Sequence, residues 1–260
     1  DGMQQVVGSL LYEGLFRLDR QLEPQPWLCQ SYSYDPATFT YAFTLRAGVT
    51  FSDGSALTAA DVAATLRRAQ ASQRYGARLA DVTDISAGDG TLTVTLSGPN
   101  TGFPALLDIP IVKSGTEGDP APLGTGPYVF SQEDGACLTA RSGWWGGGAR
   151  PAERIALSAA KDREAVLYQF SSHTVQLITA NLIGTDPITA VGNTSYRDAD
   201  TTSLHFIGIN TRRPLFQNAA VRRALGLAID RETLVSAVLS GHGRAAQAPV
   251  SPASPLYPQD

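Results

Sequence analysis

The chain has 260 residues, 43% hydrophobic and 17% charged, with a formal net charge of −4 and a mean hydropathy near zero. At ~100–200 residues per domain, such a chain buries a sizeable core in one or two domains. Its basic residues are scattered, which excludes an electrostatic footprint for nucleic acid, and no apolar run approaches the ~18 residues of a membrane span. No charged–apolar–small leader pattern opens the chain, so it reads as cytoplasmic or already trimmed. The direct entry of Asp1-Gly2-Met3 into structured-looking sequence favours trimming. Cys29 and Cys137 fit either one disulfide or two buried thiols.

In chain order, Val6, Val7, Leu10 and Leu11 recur at helical spacing, with Gly14 placed where a left-handed residue would close the helix. Phe16 and Leu18 read as a short strand, and Pro24–Pro26 as a turn. Phe39, Tyr41, Phe43 and Leu45 alternate with polar or small residues, the period of a half-buried strand. Ser52-Asp53-Gly54-Ser55 is turn chemistry. Thr58 and Asp61 then predict a capping box opening a helix with Val62, Leu66 and Ala69 on one face. Leu92, Val94 and Leu96 alternate as a further strand, and 115–122 is a Gly/Pro/acid-rich loop and boundary.

Strands are expected at 128–130 and 155–157, separated by the glycine run 146–148. Asp162 caps a helix carrying Val166, Leu167 and Phe170; 204–209 reads as a strand ending at Asn210. Val221, Leu225 and Ile229 line a helix, and Asp230 caps another that carries Leu234, Val235 and Val238 and stops at Gly241. From 245 to 260 there are four prolines and no periodicity. This mixture is an α/β or α+β pattern. The last stretch reads as a connection leading elsewhere.

Reactive chemistry finds little support. The Gly-x-Ser-x-Gly elbow is missing. His173, His205 and His242 have no partner motif and read as structural or solvated. No Cys-x-x-Cys, His-x-His or His-Glu-x-x-His spacing provides metal ligands. Gly124-Thr125-Gly126 begins like a dinucleotide loop, but Pro127 follows, and a proline removes a backbone donor that a phosphate cradle needs. The two glycines instead suit close backbone approach before the next strand, and Gly48 and Gly54 suit turns. Trp144-Trp145 reads as core aromatics rather than a surface plug. Glu13, between Tyr12 and Gly14 at the end of an apolar helix, is the acid of interest; its plainest reading is a solvated helix-end group.

Several segments resemble a known family in order and spacing. They are Leu11-Tyr12-Glu13-Gly14-Leu15-Phe16, Tyr41-Ala42-Phe43-Thr44-Leu45-Arg46-Ala47-Gly48-Val49-Thr50-Phe51-Ser52-Asp53-Gly54, and Leu57-Thr58-Ala59-Ala60-Asp61-Val62. Further on come Gly124-Thr125-Gly126-Pro127-Tyr128, Trp144-Trp145-Gly146-Gly147, Asn210-Thr211-Arg212-Arg213-Pro214-Leu215-Phe216, and the stretch from Val221 to Arg231. Together they resemble the peptide/nickel-type (family 5, oligopeptide- and dipeptide-binding) solute-binding proteins of ABC importers.

The resemblance implies an extracytoplasmic receptor, periplasmic or lipid-anchored, monomeric, without cofactor or catalysis. Such a receptor closes two lobes on a peptide or similar small polar solute and delivers it to a membrane permease. Nickel or haem cargo, a sensory domain on the same fold, and an unrelated α/β hydrolase stand as alternatives. The implied layout is a periplasmic-binding-protein-like lobe one over 1–24 and 123–248, and an inserted subdomain over 25–122. A hinge crossing follows over 249–260, with the second lobe lying beyond the chain, so that binding by one lobe alone is expected to be weak. For ligand contact the resemblance points to Tyr12, Glu13, Gly14 and Leu15, offering backbone groups and an acid to an extended peptide. Glu13 is expected to meet a cationic ligand group. Asn210, Val250 and Ser251 are further candidates.

Overall fold

The computed structural model describes residues 2–179, 194, 195, 197, 204–250, 257 and 258. The chain divides into two compact units, 1–158 and 159–260.

The first unit opens with helix α1 (Gly2–Leu11), which buries Val7 and Leu11. Residues 12–15 then lead into β1 (Phe16–Leu18), paired antiparallel with β2 (Pro24–Pro26). The turn expected at Pro24–Pro26 is therefore a strand. Proline lacks a donor, yet a two-stranded ribbon tolerates it because the flanks supply the bonds. Trp27 N and Cys29 N both donate to Leu15 O (2.9 and 3.1 Å), and Asp19 N donates to Glu23 O (3.0 Å). The true turn lies at 19–23. There the Asp19 carboxylate accepts from the amides of Gln21 and Glu23, and Leu22 takes φ 65°.

Strands β3 (Cys29–Asp35), β4 (Thr40–Leu45), β5 (Val82–Ala87) and β6 (Thr91–Leu96) form one antiparallel sheet in the order β3-β4-β6-β5. On β4 and β6 the alternation holds: Tyr41, Phe43, Leu45, Leu92, Val94 and Leu96 are buried, and Tyr41 faces Val94 while Phe43 faces Leu92. Helix α2 (Ala59–Gln70) packs Val62, Ala63, Leu66 and Ala69 into the same core. Its capping box is complete. Thr58 Oγ1 accepts from Asp61 N, and Asp61 Oδ2 accepts from Thr58 N. The free Asp61 oxygen reaches further and accepts from Ser114 N (3.0 Å). Thr65 Oγ1 donates to Val112 O (3.2 Å), so α2 also pins the 112–114 segment.

A meander of β7 (Tyr128–Ser131), β8 (Cys137–Ala140) and β9 (Arg154–Ala156) follows. Tyr128 and Leu138 join Val7, Leu11, Tyr12 and Val112 in a second core cluster against α1. Gly48 and Gly54 adopt φ +77° and +86°, as turn glycines should. Gly14 does not take a left-handed conformation. Its role is proximity instead, since a Cβ there would lie 2.9 Å from the carbonyl carbon of Asp108. Cys29 and Cys137 are two buried free thiols.

The second unit holds α3 (Arg163–Ser171), capped by Asp162, and the single turn α4 (Pro214–Gln217). It continues with α5 (Ala219–Ala228), capped by Asn218, and α6 (Arg231–Val238), capped by Asp230. Gly241, at φ +82°, donates to Val235 O (3.0 Å) and ends the run. The strand expected over 204–209 is absent. A strand exists through its ladder, this stretch has no paired partner among the described residues, and Phe206 and Ile207 are 79% and 71% exposed. Among the described residues no helix is long and apolar enough to cross a membrane.

Candidate functional site

The feature that organises the first unit is the carboxylate of Glu13. It lies just past the end of α1 yet is only 8% exposed, so the solvated helix-end reading is overturned. Burying a carboxylate is costly unless its oxygens are hydrogen-bonded, and three side chains meet that need. Trp27 Nε1 donates to Oε1 at 2.8 Å. Thr125 Oγ1 and Trp145 Nε1 donate to Oε2 at 2.9 and 2.8 Å. All three donors are neutral side chains, so the carboxylate oxygens are held by dipoles.

Local sequence explains how the donors reach it. Thr125 is fully buried and stands between two glycines that touch the end of α1. A Cβ on Gly124 would lie 2.1 Å from Leu11 O, and one on Gly126 would lie 2.5 Å from Leu10 O. Gly126 N donates to Leu11 O (3.0 Å), which locks the contact. The close backbone approach expected of these glycines is what the structure contains. Trp27 follows β2 directly. Trp145 lies in the β8–β9 connection, its ring 5.1 Å from that of Trp27 in an edge-on arrangement. Trp144 and Trp145 are half-buried; Trp145 packs on the main core.

Two guanidinium groups flank the indoles. Arg17 on β1 stacks over Trp27, its Cζ 4.2 Å from the ring centroid. Arg46 sits 5.5 Å over Trp145 and donates from Nε to Trp27 O (2.9 Å). A third arginine, Arg141, acts differently. It donates to the carbonyls of Thr50, Phe51, Thr125 and Gly126 and to Thr50 Oγ1, tying β8 to two loops. Burial lowers its affinity for the proton, and the nearby carboxylates of Glu13 and Asp53 oppose that.

Of the residues expected at a ligand, 12–15 form one buried run. The carbonyls of 13–15 are engaged within the protein: Glu13 O accepts from Ile111 N, Gly14 O from Leu28 N, and Leu15 O from Trp27 N and Cys29 N. Burial also raises the Tyr12 phenol above its ordinary value. Asn210 and Val250 belong to the second unit. Asn210 is exposed, its side chain accepting from Arg212 N (3.0 Å), and Val250 is half-buried. Ser251 lies outside the described residues. Reading the sequence missed Trp27, Thr125 and Trp145 as partners of Glu13. They stand 14, 112 and 132 residues away in the chain, and no local pattern links them.

Cys29 offers no nucleophile. Burial pushes its thiol up to about 11, and it donates to Ser31 O (3.1 Å). Among the described residues no group of three or more His, Cys, Asp or Glu side chains is placed to hold a metal.

The sequence pattern of the bacterial extracellular solute-binding proteins, family 5, matches residues 23–260. The chain belongs to that family. It is 32% identical over 270 residues to Protein XP55 of Streptomyces lividans, covering 96% of this chain and 49% of that protein. It is 29% identical over 279 residues to the glutathione-binding protein GsiB of Pectobacterium atrosepticum, covering 96% and 52%. Its fold resembles the oligopeptide-binding protein AppA of Bacillus subtilis, solved with a nonapeptide, with a TM-score of 0.69 at 24% identity over 100% of this chain and 56% of that one. The mixed α/β fold is thus that of family 5 periplasmic binding proteins. The chain spans about half the length of the relatives it matches.

Proposed function

We propose that this family 5 protein captures peptides, or a similar small polar solute, outside the cytoplasm as the solute-binding component of an ABC importer. The observation that carries this reading is the family match across 23–260. Relatives named for glutathione binding support peptide-like cargo, while similar folds include both a nonapeptide complex and a nickel ABC transporter. Membership of a solute-binding family supports binding over catalysis. In this reading the protein passes its solute to a membrane permease, works as a monomer, and is either periplasmic or lipid-anchored. Residues 25–122, which contain the four-stranded sheet and α2, serve as the inserted subdomain between two segments of lobe one. Asn210, Val250 and Ser251 remain ligand-contact candidates. Glu13 serves from inside: its oxygens are taken by Trp27, Thr125 and Trp145, so it shapes the wall a ligand meets rather than pairing with the ligand's cation.

Native mass spectrometry of the full-length protein tests this. The expected result is a co-purified or added short peptide retained as a one-to-one complex. Retention of only a nickel complex or haem, or turnover of peptide or ester substrates, would overturn it.

A further inference from the structure

We propose that Arg17 and Arg46, seated on the Trp27 and Trp145 indoles, form a subsite for a carboxylate of the captured solute. The inference rests on the solute-binding reading and deepens it by giving the ligand a charge and an orientation.

Five observations in the first unit carry it. The cluster is continuous: Arg17 stacks on Trp27, Trp27 meets Trp145 edge-on, and Arg46 covers Trp145 while bonding the Trp27 carbonyl. Neither arginine has a carboxylate within ion-pair distance among the described residues, whereas Arg68, Arg78 and Lys113 each have one. Two acids of the same region are already engaged. Glu13 accepts three neutral donors from behind the indoles, and Asp19, at the end of β1, accepts from Gln21 N, Glu23 N and Gln25 Nε2. The residue across the ribbon from Arg17 is the neutral Gln25. Finally, Trp27, Trp145 and Arg46 are half-buried and Arg17 is exposed, so the cluster is a surface.

The chemistry follows from geometry. A guanidinium held over an aromatic ring by its centre keeps N–H groups at its edge for the fork that matches a carboxylate. Stacking also immobilises the long side chain beforehand, which lowers the entropic cost of binding. Arg46 spends Nε on Trp27 O and keeps both terminal nitrogens. The charge at this wall is therefore opposite to the one expected from Glu13 in the sequence.

The test uses the full-length protein and a mixture of random di- to pentapeptides, supplied as free acids or as C-terminal amides, read by native mass spectrometry. Acids should be retained about tenfold over amides. The Arg17→Gln/Arg46→Gln double variant should lose that preference while still binding amides and staying folded by circular dichroism. Arg17→Gln alone should lose it in part, since the Arg17 side chain makes no hydrogen bond that the fold needs among the described residues. Equal retention of acids and amides by the unaltered protein overturns the subsite and leaves peptide capture standing. A preference for acids that survives in the double variant also overturns it. Retention of neither class defeats the capture reading itself.

Discussion

At the scale of single residues, Glu13 and the two glycines beside Thr125 form one device. The acid needs donors because it is buried, and Thr125 reaches it only because its neighbours have no side chains. Gly124→Ala or Gly126→Ala should destabilise the protein by about 3 kcal/mol, the upper end for overpacking, since the nearest obstacle is the Leu10 and Leu11 backbone rather than a movable side chain. The same change at Gly8, inside α1 with nothing within 4 Å of an added Cβ, should stabilise by about 0.5–1 kcal/mol. Urea unfolding of the three variants checks this, and a similar loss at all three positions would refute the steric account. Glu13→Ala leaves the indole N–H groups of Trp27 and Trp145 without their acceptor, at about 1–3 kcal/mol for each unsatisfied donor. Because the carboxylate is sealed behind the rings, the variant should weaken cationic and neutral peptides by the same factor, together with a shift in tryptophan fluorescence. A selective loss of cationic peptides in calorimetry would return Glu13 to direct contact.

At the scale of elements, polar clamps fasten the sheet, α2 and the loops to one another. The capping box of α2 extends through Asp61 to Ser114, and the adjacent Lys113 ion-pairs with Asp53 in the turn after Val49. Lys113, with the hydroxyl and amide of Ser55, holds the Asp53 carboxyl well below the usual carboxylate range. A depressed folded-state value means the stabilisation is complete above the unfolded value of about 3.9, and is lost as pH falls below it. Acid titration monitored by circular dichroism should show Asp53→Asn less stable than the parent at pH 7, with the gap narrowing below about pH 4. A gap that stays constant down to pH 2 would remove Asp53 from the acid response. Both partners are about one-third exposed, so the effect is modest.

At the scale of the molecule, the two units differ in kind. The first holds every buried side chain of the main and second core clusters. In the second, α3, α4, α5 and α6 have no buried residue, and Leu215 and Leu227 are among its exposed apolar side chains. Apolar burial is the dominant stabilising term, so local opening should be far easier in the second unit. Hydrogen exchange on the 260-residue chain should leave amides of β4, β6 and α2 protected long after those of α5 and α6 have exchanged. Equal protection in both units would contradict this reading.

The sequence by itself determined the elements whose signals are local. The alternation on β4 and β6, the caps at Thr58, Asp162 and Asp230, and the turn glycines Gly48 and Gly54 all follow from a few neighbouring residues. The family, too, was legible in its motifs. Tertiary structure decided the rest, because the deciding partner is distant. β3 is a polar edge strand that exists by pairing with β4, and on β5 a bulge places the buried Val82 and Ile85 three apart, erasing the period of two. β2 was hidden by its prolines, and 204–209 has the composition of a strand but no paired partner among the described residues. Glu13 is the sharpest case. One-dimensional context gives an acid at a helix end, and only the convergence of Trp27, Thr125 and Trp145 makes it the buried post on which a cationic, aromatic wall is hung.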